Sequence, residues 1–155
     1  MGLNMLLDEM QIALNELLVT YQEAADHFED AVNYVQRNDT KQLFETVREG
    51  HNQAVDVLTE QVRKTGALPR AQDTDREEAR QIFTHVKAAL SDDEHEVFLN
   101  DRMRHEKQIE AAIADALQLP FEAEAKACLE ALHKRELLVI AELETALNER
   151  ATGIR

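Results

Sequence analysis

Helix-breaking residues are scarce in this chain, which has 155 residues but only four Gly, two Pro and no Trp. Few positions therefore force the backbone to turn or interrupt a helix. Ala, Leu, Glu and Gln, which lose little free energy on entering a helix, are plentiful instead. The composition predicts an all-α fold, and the length favours one domain over residues 1–155.

Cysteine and long hydrophobic runs are nearly absent as well. Cys128 is the single cysteine, so an intrachain disulfide is excluded and a small core residue is its simplest role. The longest purely apolar stretch, Leu137 to Ala141, is much shorter than the ~20 residues that span a bilayer. Met1 to Leu7 has no basic residue of the kind that opens a signal peptide. We therefore expect a cytoplasmic protein.

Positive charge is also in short supply. The chain has 17 Lys and Arg against 31 Asp and Glu, which gives a formal net charge of −14. Nucleic acid and anionic membranes are poor partners for such a surface, and cations or basic proteins are better ones, although acidity alone also keeps a protein soluble. No Gly-rich phosphate loop, Cys-x-x-Cys, His-Glu-x-x-His or nucleophile elbow occurs. The sequence gives no positive case for an enzyme.

The pattern that is present is a helical seam. Between Leu3 and Val35 an apolar residue recurs at alternating steps of four and three, which predicts a long bundle helix. On its outer side an acidic residue recurs every seven positions, and no Lys or Arg occurs before Arg37. This acidic stripe consists of Glu9, Glu16, Glu23 and Asp30.

Capping signals divide the rest of the chain into four more helices. Asp39 with Gln42 forms a capping box that begins the second helix, and Gly66 followed by Pro69 ends it. The predicted helices cover residues of about 3–36, 40–65, 75–90, 92–118 and 121–150. Two helix pairs with short turns, joined by a long connection that holds a short extra helix, predict a four-helix bundle with one long crossover.

The seams of the last two long helices place charged residues beside apolar ones. In the helix over 92–118 the expected core positions are Phe98 or Leu99, Arg102, Glu106, Ile109, Ile113 and Ala116. In the last helix they are Ala125, Leu129, Leu132 or His133, Leu137, Ile140, Leu143 and Leu147. Tyr21 and Tyr34 on the first helix are expected to be packing residues.

Short segments spread over nearly the whole chain carry a resemblance to a known family. They are Leu14-Asn15-Glu16-Leu17, the Ala-rich turn after Phe28, Leu58 to Gly66 with Pro69, Lys87-Ala88-Ala89-Leu90, Arg104-His105-Glu106, and Ala116-Leu117 before Leu119-Pro120. In this order they make the chain resemble a bacterial ferritin-like four-helix-bundle family of unknown function. The resemblance implies the ferritin-like bundle fold and brings no settled activity.

The ferritin-like resemblance implies one chemistry to test, a carboxylate-bridged di-iron centre. Such a centre takes an inward Glu from each of two helices and a Glu-x-x-His pair from each of two others, because positions i and i+3 share a helix face. Glu130 with His133 is one such pair, and Glu106 is one inward Glu. Asn52 stands three residues after Glu49 on the second helix, where a His is needed. The first helix offers no inward carboxylate, so the standard set is incomplete.

Histidines and charged residues nevertheless fall at similar heights on several helices of the predicted bundle. They are His27, His51, Arg102, His105, Glu106, His133 and Glu136, whereas His85 and His95 are expected to be exposed. One interpretation is structural, with an Arg102–Glu106 ion pair and hydrogen-bonded histidines. A second is a catalytic acid–base pair. A third is a non-standard site for iron, manganese or zinc, whose ligands would be His51, Glu106, Glu130 and His133.

Two functions from different classes remain open at this point. The first is transition-metal binding within the bundle, and the second is a metal-free structural or interaction module that presents the acidic stripe to a basic protein partner. Neither requires an organic cofactor. A homo-oligomer, most simply a dimer, is also expected, because several apolar residues lie beyond the main seams of the first and last helices. They include Leu18, Val19, Val32, Leu138 and Val139.

Overall fold

A computed structural model describes residues 2–35, 37–72 and 92–151, and side chains within 9–35, 37–72 and 96–149. These residues form four α-helices and no strand, which confirms the predicted all-α four-helix bundle. The helices are α1 (Gly2–Tyr34), α2 (Asn38–Lys64), α3 (Asp92–Ala116) and α4 (Ala123–Ala151). The extra helix predicted over 75–90 lies outside the described residues, as do the side chains of His85 and His95.

Two apolar clusters fix the direction of each helix. The first cluster joins the start of α1 and α4 to the end of α2 and α3 through Leu14, Leu58, Ile113 and Leu129. The second joins the opposite helix ends through Phe28, Phe44, Leu99 and Leu143. Thus α2 and α3 run parallel, α1 and α4 run antiparallel to them, and the connection after α2 returns the chain to the far end of the bundle. α1 packs on α2 and α3, and α4 packs on the same two helices.

The predicted seams of α1 and α3 are confirmed at their described positions, whereas the prediction for α4 is partly wrong. Leu137 is 49% exposed, and Glu136 is fully buried in its place. The positions of Leu18, Val32 and Val139 also correct the prediction of an outer apolar stripe, because all three lie in the core. Side chains one position apart on a helix are separated by 100°, so a shift of one residue moves Leu137 out of the core.

The start of α2 also differs from the prediction. The helix begins at Asn38, its N-cap residue is Arg37, and no side chain caps it. Asp39 lies in the first turn and binds the Arg37 guanidinium at 2.8 Å, so the predicted capping box with Gln42 does not form. The predicted end is confirmed, because Gly66 follows the last turn with φ of +87° and donates its N–H to Arg63 O.

The segment over 65–72 begins with a turn at 65–66, contains no helix or strand, and is held against α1 by polar side chains of that helix. Asn15 is the central one, since its amide donates to Leu68 O at 3.3 Å and accepts from Arg70 N at 2.9 Å. Gln11 donates to Thr65 O and Gln22 to Arg70 O, while Gln72 binds Asp26. The connection therefore leaves α2 in the direction of α1, as a return to the far end of the bundle requires.

The acidic stripe is not a uniform solvated face. Glu9 and Glu16 are exposed, whereas Glu23 and Asp30 are half-buried and each interacts with other residues. Among the described residues, no helix combines the length and the apolar character that crossing a membrane requires.

We predict that Asn15→Ala lowers the free energy of unfolding by about 1–3 kcal/mol, because it leaves two backbone groups of the 65–72 segment without their partners. Urea unfolding followed by circular dichroism measures this change, and limited proteolysis should show faster cleavage in the segment. Asn100→Ala is the matched control, since Asn100 is exposed and its amide donates to Glu96 O within its own helix. Equal stability losses in the two variants would contradict this role for Asn15.

Candidate functional site

A buried polar layer separates the two apolar clusters, and each helix contributes one residue to it. Tyr21 comes from α1, His51 from α2, Glu106 from α3 and Glu136 from α4, and each is fully buried. Each residue occupies a seam position, three or four residues from buried neighbours on its own helix. The helical repeat that builds the core therefore also directs these four polar side chains into it.

Short hydrogen bonds join the four residues in two pairs. His51 Nε2 lies 2.6 Å from Glu106 Oε1, and the Tyr21 hydroxyl donates to Glu136 Oε1 at 2.8 Å. His51 Nδ1 lies 3.9 Å from the same Glu136 oxygen. The rings of Tyr21 and Phe28 meet the imidazole edge-on, with centroids 5.2 and 5.5 Å away. His51 is therefore held by the Glu106 carboxyl group at Nε2 and by aromatic rings on its sides.

Two arginines lie beside this layer. Nη2 of Arg135 lies 3.1 Å from His51 Nδ1. Arg102 is only 2% exposed, and its guanidinium lies 5.9 Å from the centroid of the Phe28 ring. A guanidinium can only donate, so Nδ1 of His51 must be the accepting nitrogen. The proton of the neutral ring then sits on Nε2 and is donated to Glu106. Arg135 thus fixes the tautomer of the buried histidine.

Each of the two buried carboxyl groups has an oxygen with few partners. Apart from a proton that the two carboxyl groups share, no donor among the described residues reaches Glu106 Oε2 or Glu136 Oε2. Such atoms are rare in native cores, because an unpaired buried oxygen costs about 1–3 kcal/mol. These oxygens mark the layer as a place where a further positive group would be stabilised.

Burial dominates the protonation of the layer. It raises the pKa of Glu106 to about 7, although the neighbouring Glu136 carboxyl and the two arginines oppose the rise. It raises the pKa of Glu136 to about 8, with the Glu106 charge adding to the effect. It lowers the pKa of His51 to about 4, despite the nearby Glu136. The pKa of Tyr21 is raised by burial and by Glu136, so the phenol stays protonated.

The ligand atoms in this layer are close enough for one cation. His51, Glu106 and Glu136 each offer an atom, and these atoms lie within 4.8 Å of one another. One imidazole and two carboxylates suit a divalent transition-metal ion. A di-iron centre of the standard pattern needs four carboxylates and two imidazoles, which is more than this layer holds.

Residues 9–119 match the family described as a domain of unknown function, DUF2383. The chain belongs to this family. The match covers α1 from Glu9 onward, α2 and α3, so it includes Tyr21, His51 and Glu106 but ends before α4 and Glu136. It confirms the predicted membership of a family of unknown function and brings no activity with it. Searches of curated proteins and of solved structures found no significant match.

In this DUF2383 chain, the four residues predicted as metal ligands do not all meet. His51 and Glu106 are in direct contact. His133 is half-buried and binds Glu110 Oε1 at 2.7 Å, while Glu130 is exposed. Among the described residues, the three acidic and histidine groups that lie close enough to share one ion are His51, Glu106 and Glu136, so Glu136 takes the place expected for the Glu130–His133 pair.

Other members of the predicted polar layer lie elsewhere or play a different part. The rings of His27 and His105 lie side by side between α1 and α3, with centroids 6.2 Å apart, and His105 Nδ1 is 2.8 Å from Asp101 O. Sequence reasoning missed Tyr21 as a polar partner and Arg135 altogether. Tyr21 occupies an inward seam position and carries a hydroxyl that needs a partner once it is buried, which was the available signal.

We predict that the metal-free protein loses stability between pH 6.5 and 8.5, on the order of 2 kcal/mol. The folded chain keeps protons on Glu106 and Glu136 up to pKa values of about 7 and 8, whereas unfolding releases them because an ordinary Glu titrates near 4.5. The stabilising protonation is therefore complete at low pH and is lost as pH rises through 7–8. His51, with its pKa lowered to about 4, has the opposite effect, but only below its ordinary value of 6.5.

Urea unfolding with a chelator at pH 6.5, 7.5 and 8.5 measures this dependence. Glu136→Gln should flatten it, because the amide mimics the protonated carboxyl at every pH. Glu130→Gln on the same helix is the control, since Glu130 is exposed and its substitution should leave the slope unchanged. A wild-type stability that is constant over this range would show that the carboxyl groups are ionised in the folded chain.

Proposed function

We propose that this protein binds one divalent transition-metal ion, with His51, Glu106 and Glu136 as its protein ligands. The observation that carries the proposal is the pair of buried carboxyl oxygens, Glu106 Oε2 and Glu136 Oε2, that lack a donor beyond a shared proton. A cation would satisfy both oxygens and replace that proton. The ferritin-like lineage suggested by the sequence agrees with a metal in this position, between two apolar clusters of a four-helix bundle.

The charges of the layer are consistent with this function. The raised pKa values of Glu106 and Glu136 mean that the two arginines do not supply enough positive charge to keep both carboxyl groups ionised. A divalent ion brings that charge to the carboxylates directly, and its binding releases their protons. His51 is neutral near pH 7, which is the form that coordinates a metal.

The geometry requires a small rearrangement. His51 Nε2 and Glu106 Oε1 are 2.6 Å apart in the structure. Two ligand atoms at about 2.0–2.2 Å from a tetrahedral ion lie about 3.3 Å apart. Side chains must therefore separate by several tenths of an ångström, which rotation about the Glu106 side-chain bonds provides. Zinc, manganese and iron all accept this ligand set, and a bound ion would supply Lewis-acid character to the site.

One enclosed ion per chain is a stoichiometric centre. A single ion per chain fits a role in sensing the metal or in stabilising the fold. Bulk storage of metal needs space for many ions.

We predict that tag-free wild-type protein binds about one Zn²⁺, Mn²⁺ or Fe²⁺ per chain and that Glu106→Gln lowers the affinity at least roughly a hundredfold. The Gln side chain keeps the shape and the hydrogen bond to His51 but removes the negative charge that holds the ion. Isothermal titration gives the affinity, and elemental mass spectrometry after desalting gives the metal content.

His133→Gln is the matched control for the site. Its imidazole was a ligand candidate from the sequence but is bound to Glu110, so this variant should keep wild-type affinity. Circular dichroism and thermal melting establish that both variants are folded. If no ion binds the wild type after reconstitution with each of the three metals, the proposal fails. Loss of binding in His133→Gln alone would move the site to the α3–α4 face.

The second function expected from the sequence, docking of a basic protein on the acidic stripe, has less support. Two of the four acidic residues, Glu23 and Asp30, are half-buried and interact with other residues, so they present less charge to a partner. A homodimer is a separate proposal, and its best basis is the exposed pair Leu137 (49%) and Leu138 (65%) on α4.

A further inference from the structure

A glycine in the middle of α2 lies directly under the Arg135 guanidinium. A Cβ atom added at Gly50 would be 2.0 Å from an Arg135 Nη2 and 2.5 Å from its Cζ. A glycine inside a helix costs about 1 kcal/mol relative to alanine. The space that the missing side chain leaves is the space that the guanidinium occupies, so Gly50 allows Arg135 to reach the buried layer.

Arg135 is the link between this layer and the surface along the α2–α4 contact. It is half-buried, whereas His51 beside it is fully buried. Its guanidinium approaches two neutral acceptors, His51 Nδ1 at 3.1 Å and Val47 O at 3.5 Å. Within the part of the chain that the structure describes, it forms no ion pair with a carboxylate. A long, half-exposed side chain with such partners can leave its position at modest cost.

The guanidinium and a metal ion place incompatible demands on His51. If the ion binds Nε2, the neutral ring must carry its proton on Nδ1, and this N–H would face the donating Arg135 Nη2 at 3.1 Å. If the ion binds Nδ1, it uses the lone pair that now accepts from Arg135. In both cases Arg135 loses its acceptor, and in the second case the two positive groups also compete for Nδ1 itself.

We infer that Arg135 is a resident cation that occupies the Nδ1 side of His51 in the metal-free protein and must leave it when an ion binds. This inference rests on the proposed metal site, because Arg135 is the side chain that would oppose the binding of an ion there. The guanidinium then withdraws from its place over Gly50 toward solvent. Arg135 is a positioning residue, because it acts on the ligand His51.

The test compares metal binding by Arg135→Met and Gly50→Ala with that of the wild type. Methionine keeps the length of the side chain but removes the charge and the donors. Alanine at Gly50 places a methyl group where the guanidinium lies and displaces it without changing any ligand. Zn²⁺ titration should give a Kd at least about tenfold lower for Arg135→Met, the size expected for losing a competing charged hydrogen bond. Gly50→Ala should shift the Kd in the same direction.

Lys134→Met is the matched control, because Lys134 is exposed on the same helix and this variant removes the same charge. Its Kd should stay within about twofold of the wild type, the size of a screened surface effect. Equal tightening in Lys134→Met and Arg135→Met would reduce the effect to net charge and overturn the inference. Weaker binding in Arg135→Met would also overturn it, because Arg135 would then stabilise the loaded state by pairing with an imidazolate.

A second measurement keeps the inference separate from the proposed function. Long-range ¹H–¹⁵N spectra of the metal-free protein should show the His51 proton on Nε2 in the wild type, with the Arg135 side-chain N–H signals protected from water. On addition of Zn²⁺ the Arg135 signals should become exposed. If Zn²⁺ binds and those signals stay protected, the inference fails and the metal site stands. If Zn²⁺ binds neither the wild type nor Arg135→Met, the metal site itself fails.

Discussion

Burial of two glutamates in one layer is the constraint on which the rest of this bundle depends. Glu106 and Glu136 are removed from water completely, which is costly for any carboxyl group unless its environment compensates. Compensation comes from all four helices, through the Tyr21 hydroxyl, the His51 imidazole, a shared proton and the nearby arginines. Because each helix contributes, a shift of any helix by one turn would leave buried polar groups without partners. The polar layer therefore fixes the register of helices that apolar contacts alone would let slide.

The same layer explains why Gly50 and Arg135 occur together. The helix tolerates a glycine at an interior position because a guanidinium fills the space above it. Arg135 in turn determines which nitrogen of His51 carries the proton. At the metal site proposed above, an ion would have to break this contact between Arg135 and His51. Binding would then replace one cation by another rather than fill a void.

Much of this architecture could be predicted from the sequence, because apolar residues at steps of three and four leave little freedom in α1, α2 and α3. Arg102 and Glu106 were placed in the seam of α3 correctly, since apolar neighbours on both sides set the phase. The phase of α4 could not be read in the same way. Glu136 is followed by five apolar residues, so a seam through Leu137 fits the pattern as well as the true seam through Glu136 and Val139.

The candidate site was predictable only in part, for a related reason. His51 and Glu106 lie on helices whose phase was clear, and the structure brings them into contact. Glu130 with His133 matched a familiar ligand spacing, but spacing within a helix does not say which face of the bundle it occupies. Arg135 could not be found from periodicity, because it reaches the layer by its length and by the absence of a side chain at Gly50. Contacts of that kind depend on the distance between two helices, which a single sequence does not contain.

The pairing of helices has a consequence for how the protein folds. α1 and α2 are joined by a short turn, as are α3 and α4, so contacts within each hairpin close smaller loops than contacts between the hairpins and are expected to form first. The four central residues are divided equally, with Tyr21 and His51 on one hairpin and Glu106 and Glu136 on the other. In a hairpin on its own, two of these four residues would be exposed to water and would lack their hydrogen-bond partners from the other hairpin. Docking of the two hairpins is then the step at which the carboxyl groups give up their hydration, so this step carries the desolvation penalty and is expected to set the folding rate.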